Sequence, residues 1–188
     1  YAVLQSDRLG AGNITINSEI PSGAGMGSSA AVIASLLQLF ESSSSMQKDA
    51  VEQQVFFQKV KYCERLQHGR GSAIDAAAVT YGGTLKVEDG KVMPLPIMLG
   101  EGWYYFHTGT PCCSTGETVS AVREQFASQV DLWEQFADVT HCFEQYINQP
   151  SELLAVIRSN HRLLQKIGVV PLSVSQLIER IEALGGAA

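Results

Sequence analysis

No run of about 18 consecutive apolar residues occurs in this 188-residue sequence, and no basic stretch followed by an apolar core opens it. Membrane insertion and secretion therefore find no support, and a cytoplasmic chain is the expectation. Cysteine is scarce. The four residues, Cys63, Cys112, Cys113 and Cys142, form no Cys-x-x-Cys pair, and two are adjacent, which suits neither a disulfide framework nor a zinc site. Beside the adjacent pair, His107 also lacks ligand spacing, and His141 with Cys142 reads as helix packing. Basic charge is short as well: 13 Lys+Arg stand against 19 Asp+Glu, a net charge of -6, the wrong sign for gripping a polyphosphate backbone. Nucleic acid is excluded as the expected partner. A small phosphorylated ligand is not, because backbone amides at a helix N-terminus bind anions without net positive charge. Charged residues make up 17%, below the roughly 25% of average soluble domains, while 45% are hydrophobic, which places the chain among folded proteins.

Along the chain, Ile14 and Ile16 alternate with Asn13, Thr15 and Asn17, the period of a half-buried strand. Pro21-Ser22-Gly23-Ala24-Gly25-Met26-Gly27-Ser28-Ser29 follows, with glycines on alternate positions that permit positive φ. The apolar stretch from Ala30 reads as a buried helix whose first turn is Ser28-Ser29-Ala30. Ser44 and Gln47, in capping-box spacing, open a second helix running to about Gln67. Val51, Val55, Tyr62 and Leu66 form one apolar stripe of it, taken as core. Phe57, Val60 and Glu64 form a second, so Glu64 lies in line with apolar neighbours. A small-residue helix starts at Ala73 and ends at Tyr81-Gly82-Gly83, before a strand over 84–87 and an Asp89-Gly90 turn. The character changes from Pro94. Trp103-Tyr104-Tyr105-Phe106 reads as a buried strand, Ser114-x-x-Glu117 as a capping box, and the segments 132–146, 151–167 and 173–184 as amphipathic helices. A boundary near residue 95 divides the chain into domains 1–95 and 96–188.

The glycine loop matches neither common phosphate loop: no lysine follows it as a Walker A loop requires, and the third glycine comes one residue early for Gly-x-Gly-x-x-Gly. Two readings stay open from spacing alone. The loop is either a tight strand-to-helix turn or an anion cradle in which converging N–H groups and the helix dipole meet a phosphate, with two serine hydroxyls beside it.

Pro21 to Ala31 resembles the Pro-x-Gly-x-Gly-Leu-Gly-Ser-Ser-Ala loop of the GHMP kinases, with Met26 in place of leucine. Glu64-Arg65-Leu66-Gln67-His68-Gly69-Arg70-Gly71-Ser72-Ala73-Ile74-Asp75 is similar to the Glu-x3-His-Gly-x-Pro-Ser-Gly-x-Asp stretch of the mevalonate kinases in that superfamily, with the same spacing from glutamate to aspartate. Asn160-His161-x-Leu163-Leu164-x3-Gly168-Val169 is a weaker, architectural match. Gly71 stands where that family has proline and Ala73 where it has glycine, and Gly71-Ser72 also resembles the phosphomevalonate kinases.

The resemblance implies an α+β fold of the GHMP kinase two-domain type, with a ribosomal protein S5 domain 2-like N-terminal domain and a ferredoxin-like C-terminal domain. It implies an ATP-dependent kinase with Mg2+, transferring a phosphoryl group to the hydroxyl of a small substrate, mevalonate first, in isoprenoid precursor synthesis. Phosphomevalonate, a sugar, or a non-catalytic nucleotide-binding role are the alternatives, and a homodimer is among the implied states. By the same resemblance Pro21, Gly23, Gly25, Gly27, Ser28, Ser29 and Ala30 bind the nucleotide, Ser29 and Glu64 hold Mg2+, Asp75 is catalytic, and His68, Ser72, Thr108 and Gly109 meet the substrate. The family's N-terminal lysine-bearing motif and third glycine-rich motif are absent from the sequence, which opens on Tyr1 and closes on Gly185-Gly186-Ala187-Ala188. The expectation is a middle portion of a family member, truncated at both ends.

Overall fold

The computed structural model describes residues 13–20, 25–40, 49–68, 73–109, 111 and 113–188, with backbone alone at 67 and 68. The chain divides into two compact units, residues 1–110 and 111–188.

In the first unit, three helices assemble on small residues. Helix α1 (Ser28–Phe40) buries Ala30, Ala34 and Leu37, and α3 (Ala73–Tyr81) buries Ala76 and Ala77. Alanine at these positions lets helix backbones approach closely, and α2 (Ala50–His68) fills what remains with Phe56, Phe57 and Val60. The Phe57 side chain is fully buried. Helix α2 starts at a capping box that the serine run had obscured: Asp49 Oδ1 accepts from the N–H groups of Val51 (2.9 Å) and Glu52 (2.8 Å), while Glu52 Oε2 accepts from Asp49 N–H. The Ser44/Gln47 cap lies outside the described residues. Of the two apolar stripes on α2, only the second is core. Val51, Val55, Tyr62 and Leu66 are exposed, because α1 and α3 cover the side that carries Phe57, Val60 and Glu64.

Strands β1 (Thr84–Glu88) and β2 (Lys91–Leu95) pair antiparallel, with Glu88 opposite Lys91 and Thr84 opposite Leu95. The hairpin turns on Asp89 (φ +50°) and Gly90 (φ +75°), the two positive φ values of a type I′ turn. Pro94 falls on this two-stranded sheet without breaking a central ladder, since both strands are edges. The other two expected strands are corrected. Residues 13–17 and 103–106 have no strand structure and their apolar side chains are exposed, Tyr104 by 81%. Alternation and aromatic content favour a pleated surface, but a strand exists only where a neighbour takes its backbone hydrogen bonds.

The second unit is helical among its described residues: α4 (Thr115–Phe126), α5 (Val130–Tyr146), α6 (Pro150–Lys166) and α7 (Leu172–Ala183). Helix α4 begins with the expected capping box, Glu117 N–H donating to Ser114 Oγ and Glu117 Oε2 accepting from the Ser114 hydroxyl (2.7 Å) and N–H (2.8 Å). Phe126, Leu132 and Leu163 form one buried cluster, with Val122, Phe136, Val139 and Ile167 around them, and Leu153, Val156 and Ile178 are buried as well. Trp133 Nε1 donates to the Phe126 carbonyl at 2.9 Å and ties α5 to the end of α4. Cys142 is half-buried on α5, whereas His141, expected to pack, is exposed. No helix among the described residues is long and apolar enough to cross a membrane.

Truncating the buried Phe57 to alanine will destabilise the first unit by about 3–5 kcal/mol, measured by urea unfolding. In the second unit, the Ser114 hydroxyl and then its backbone N–H hold the Glu117 carboxyl below the usual carboxylate range. A lowered pKa in the folded state means that the cap contributes above the ordinary carboxylate range and is lost as pH falls through the lowered value. Amide-exchange protection in the first turn of α4 will therefore fall on acidification, and Glu117→Gln will flatten that dependence.

Candidate functional site

Three chain segments distant in sequence meet where α1 begins. Gly25 and Gly27 have φ of +71° and +65°, values open to glycine, and they turn the chain so that Gly27 C=O receives the first helical hydrogen bond, from Ala31 N–H at 3.0 Å. Ser28 and Ser29 then occupy the first turn, half-buried, and Ala30 is fully buried in the core. The N–H groups of that turn have no partner within the helix, and the α1 dipole places partial positive charge there.

Glu64 reaches this place from α2. It stands one turn beyond Val60 on the buried stripe and is only 7% exposed. A carboxylate so placed needs a donor, because an unpaired buried charge is costly. Ser29 supplies it: the Ser29 hydroxyl donates to Glu64 Oε1 at 2.7 Å. Asp75 arrives from the first turn of α3, where a helix N-terminus favours a carboxylate. A Cβ added to Gly27 would lie 3.5 Å from Asp75 Cβ and Cγ and 3.6 Å from Oδ1, so the carboxyl rests directly over the glycine. The site thus holds an anion-favouring helix start, a hydroxyl–carboxylate pair and a second, exposed carboxylate.

Among the described residues, no group of three or more His, Cys, Asp or Glu gathers as a metal cage. Ser29 and Glu64 offer a hydroxyl and a carboxylate oxygen, which suits a hard cation that keeps water or phosphate oxygens in its remaining places. Of the residues singled out in the sequence, Gly27, Ser29, Glu64 and Asp75 come together, and Gly25 lies exposed just before them. Pro21, Gly23 and Ser72 lie outside the described residues, and His68 is described only as the last residue of α2. Thr108 and Gly109 are exposed, and a Cβ at Gly109 would meet nothing within 4 Å. The sequence reading took Tyr81 as a helix end only. It packs on Phe57 with ring centroids 5.7 Å apart, and its hydroxyl donates to Gln54 Oε1 at 2.6 Å. An aromatic residue at the end of an alanine-rich helix was the available signal.

Residues 1–83 match the family described as GHMP kinases N terminal domain. Three relatives illustrate the wider similarity. The mevalonate kinase of Archaeoglobus fulgidus is 30% identical over 177 residues, covering 92% of this chain and 58% of that protein. The mevalonate kinase of Pyrococcus horikoshii is 28% identical over 201 residues, covering 98% and 57%. The mevalonate kinase of Bos taurus is 36% identical over 107 residues, covering 50% and 27%. The chain therefore spans little more than half the length of the curated relatives that it matches along most of its own length. No solved structure matches it significantly.

Ser29→Ala leaves the Glu64 carboxylate without this donor, and will lower stability by about 1–3 kcal/mol in urea unfolding. Combined with Glu64→Gln in a double-mutant cycle, the pair will show coupling, as residues sharing one hydrogen bond do.

Proposed function

We propose that this chain, whose residues 1–83 match the GHMP kinases N terminal domain, carries the phosphate loop and catalytic centre of an ATP-dependent kinase that phosphorylates the hydroxyl of mevalonate. The carrying observation is the approach of the Asp75 carboxyl to Gly27, immediately before the Ser29–Glu64 pair. A proton acceptor, a phosphate-favouring helix start and hard oxygen donors are the parts that phosphoryl transfer uses, since it depends on positioning and charge neutralisation. The mevalonate acceptor is taken from the names of the relatives.

In this reading the glycine turn and the first turn of α1 receive the nucleotide phosphates on backbone N–H groups. Ser29 and Glu64 hold Mg2+, whose chemistry is to neutralise phosphate charge. Asp75 orients the substrate hydroxyl and takes its proton as the oxygen bonds to the γ-phosphorus, and ADP departs with the bridging oxygen. Residues 1–83, which include α1 to α3, and the hairpin that follows them belong to the N-terminal domain, and the helices of 111–188 to a ferredoxin-like second domain. The boundary lies between Leu95, where β2 ends, and Pro111.

Gly71 and Ser72 favour a second reading, phosphomevalonate as acceptor, so the assay runs both substrates and a sugar. Coupled ADP release should depend on mevalonate. Asp75→Asn should lower turnover by about a hundredfold or more with ATP binding retained. Turnover of phosphomevalonate alone would move the acceptor, an unchanged rate in Asp75→Asn would remove the role of Asp75, and no turnover with any acceptor would leave a nucleotide-binding relative.

A further inference from the structure

The Asp75 carboxyl makes no hydrogen bond among the described residues, so its place over Gly27 depends on how α3 lies. Helix α3 has nine residues, less than three turns, too short to be stable without its packing. The residues that it buries completely are Ala76 and Ala77. Methyl groups permit close approach, yet they key neither rotation nor sliding, because they present almost no relief to interlock. One residue of slip turns a helix by about 100° and would carry Asp75 away from Gly27.

The keyed contacts sit at the other end. Tyr81 packs its ring on the fully buried Phe57 and donates its hydroxyl to Gln54 Oε1 at 2.6 Å. Beside it, Gln53 Nε2 donates to the Thr80 carbonyl at 3.2 Å. That carbonyl lies in the last turn of α3, where no further helical N–H is available to it. The Thr80 hydroxyl is buried with no hydrogen-bond partner among the described residues, and the latch engages the Thr80 backbone. All three holding residues, Gln53, Gln54 and Phe57, belong to the N-terminal half of α2, the helix that further along supplies Glu64. A single helix thereby sets both carboxylates.

We propose that Tyr81, held by Gln54, is a positioning residue that fixes the rotation of α3 and with it the place of the Asp75 carboxyl over Gly27. The inference rests on the reading of Asp75 as proton acceptor for its kinetic consequence, but not for its geometry. The Tyr81 hydroxyl is protonated and able to donate at neutral pH, as a phenol ordinarily is, and burial raises its pKa further.

The experiment compares wild type, Tyr81→Phe, Gln54→Leu and Gln54→Glu, using side-chain carboxyl NMR of uniformly 13C-labelled protein with the Asp75 resonance assigned through Asp75→Asn. Tyr81→Phe and Gln54→Leu should displace the Asp75 resonance and its titration curve while Asp131 and Asp138, in the second unit, stay put. Gln54→Glu, which can still accept from the Tyr81 hydroxyl, should return the Asp75 signal toward that of wild type. With mevalonate, kcat should fall about tenfold in Tyr81→Phe while KM for ATP holds, as expected for a misplaced reacting group. An Asp75 resonance and titration identical to wild type in both Tyr81→Phe and Gln54→Leu would overturn the proposal. A wild-type protein without kinase activity would overturn the functional reading instead, and the NMR comparison would still decide the positioning role.

Discussion

Glu64 is a carboxylate taken almost out of water, and the first unit depends on the donor that makes this tolerable. The donor comes from 35 residues earlier in the chain, the Ser29 hydroxyl, at 2.7 Å. For the two to meet, the start of α1 must lie against the second half of α2, which requires a turn at Gly25 and Gly27 that other residues adopt only with strain. The same turn leaves a glycine without a side chain beneath Asp75. A polar requirement at one buried atom thus brings the glycine turn, Ser29 and Glu64 to one corner, and the bare glycine leaves room for Asp75 beside them.

Around that corner the packing is of two kinds with different consequences. Alanines at 30, 34, 76 and 77 bring helices close and leave little to resist sliding, whereas Phe57 and Tyr81 interlock and resist it. Close approach and rotational definition are supplied by different residues, on α3 by Ala76 and Ala77 at its middle and by Tyr81 at its end. The second unit is built otherwise, on helices long enough to carry alternating apolar faces and closed by a capping box at Ser114.

Helices were largely legible. The apolar periodicity of 132–146, 151–167 and 173–184 reappears as α5, α6 and α7 within a few residues, since each helix carries its own pattern and end signals. The Asp89-Gly90 turn and the strand before it were equally local. The segments 13–17 and 103–106 were misread as strands for the complementary reason: pairing is a relation between segments, and composition describes one at a time. On α2, periodicity marked two apolar stripes, and only the neighbours α1 and α3 selected the one that is buried.

What the sequence determined by itself was the set of local elements and the chemistry available: a glycine turn before a helix start, a carboxylate on an apolar stripe, another in the first turn of a short helix. Each follows from backbone preference or side-chain spacing within about ten residues. Tertiary structure alone decided that Ser29 donates to Glu64, that Asp75 lies over Gly27 and that Gln54 holds Tyr81. Those contacts join residues 27 to 48 positions apart, where no periodicity extends, and they exist because three helices bury a common face.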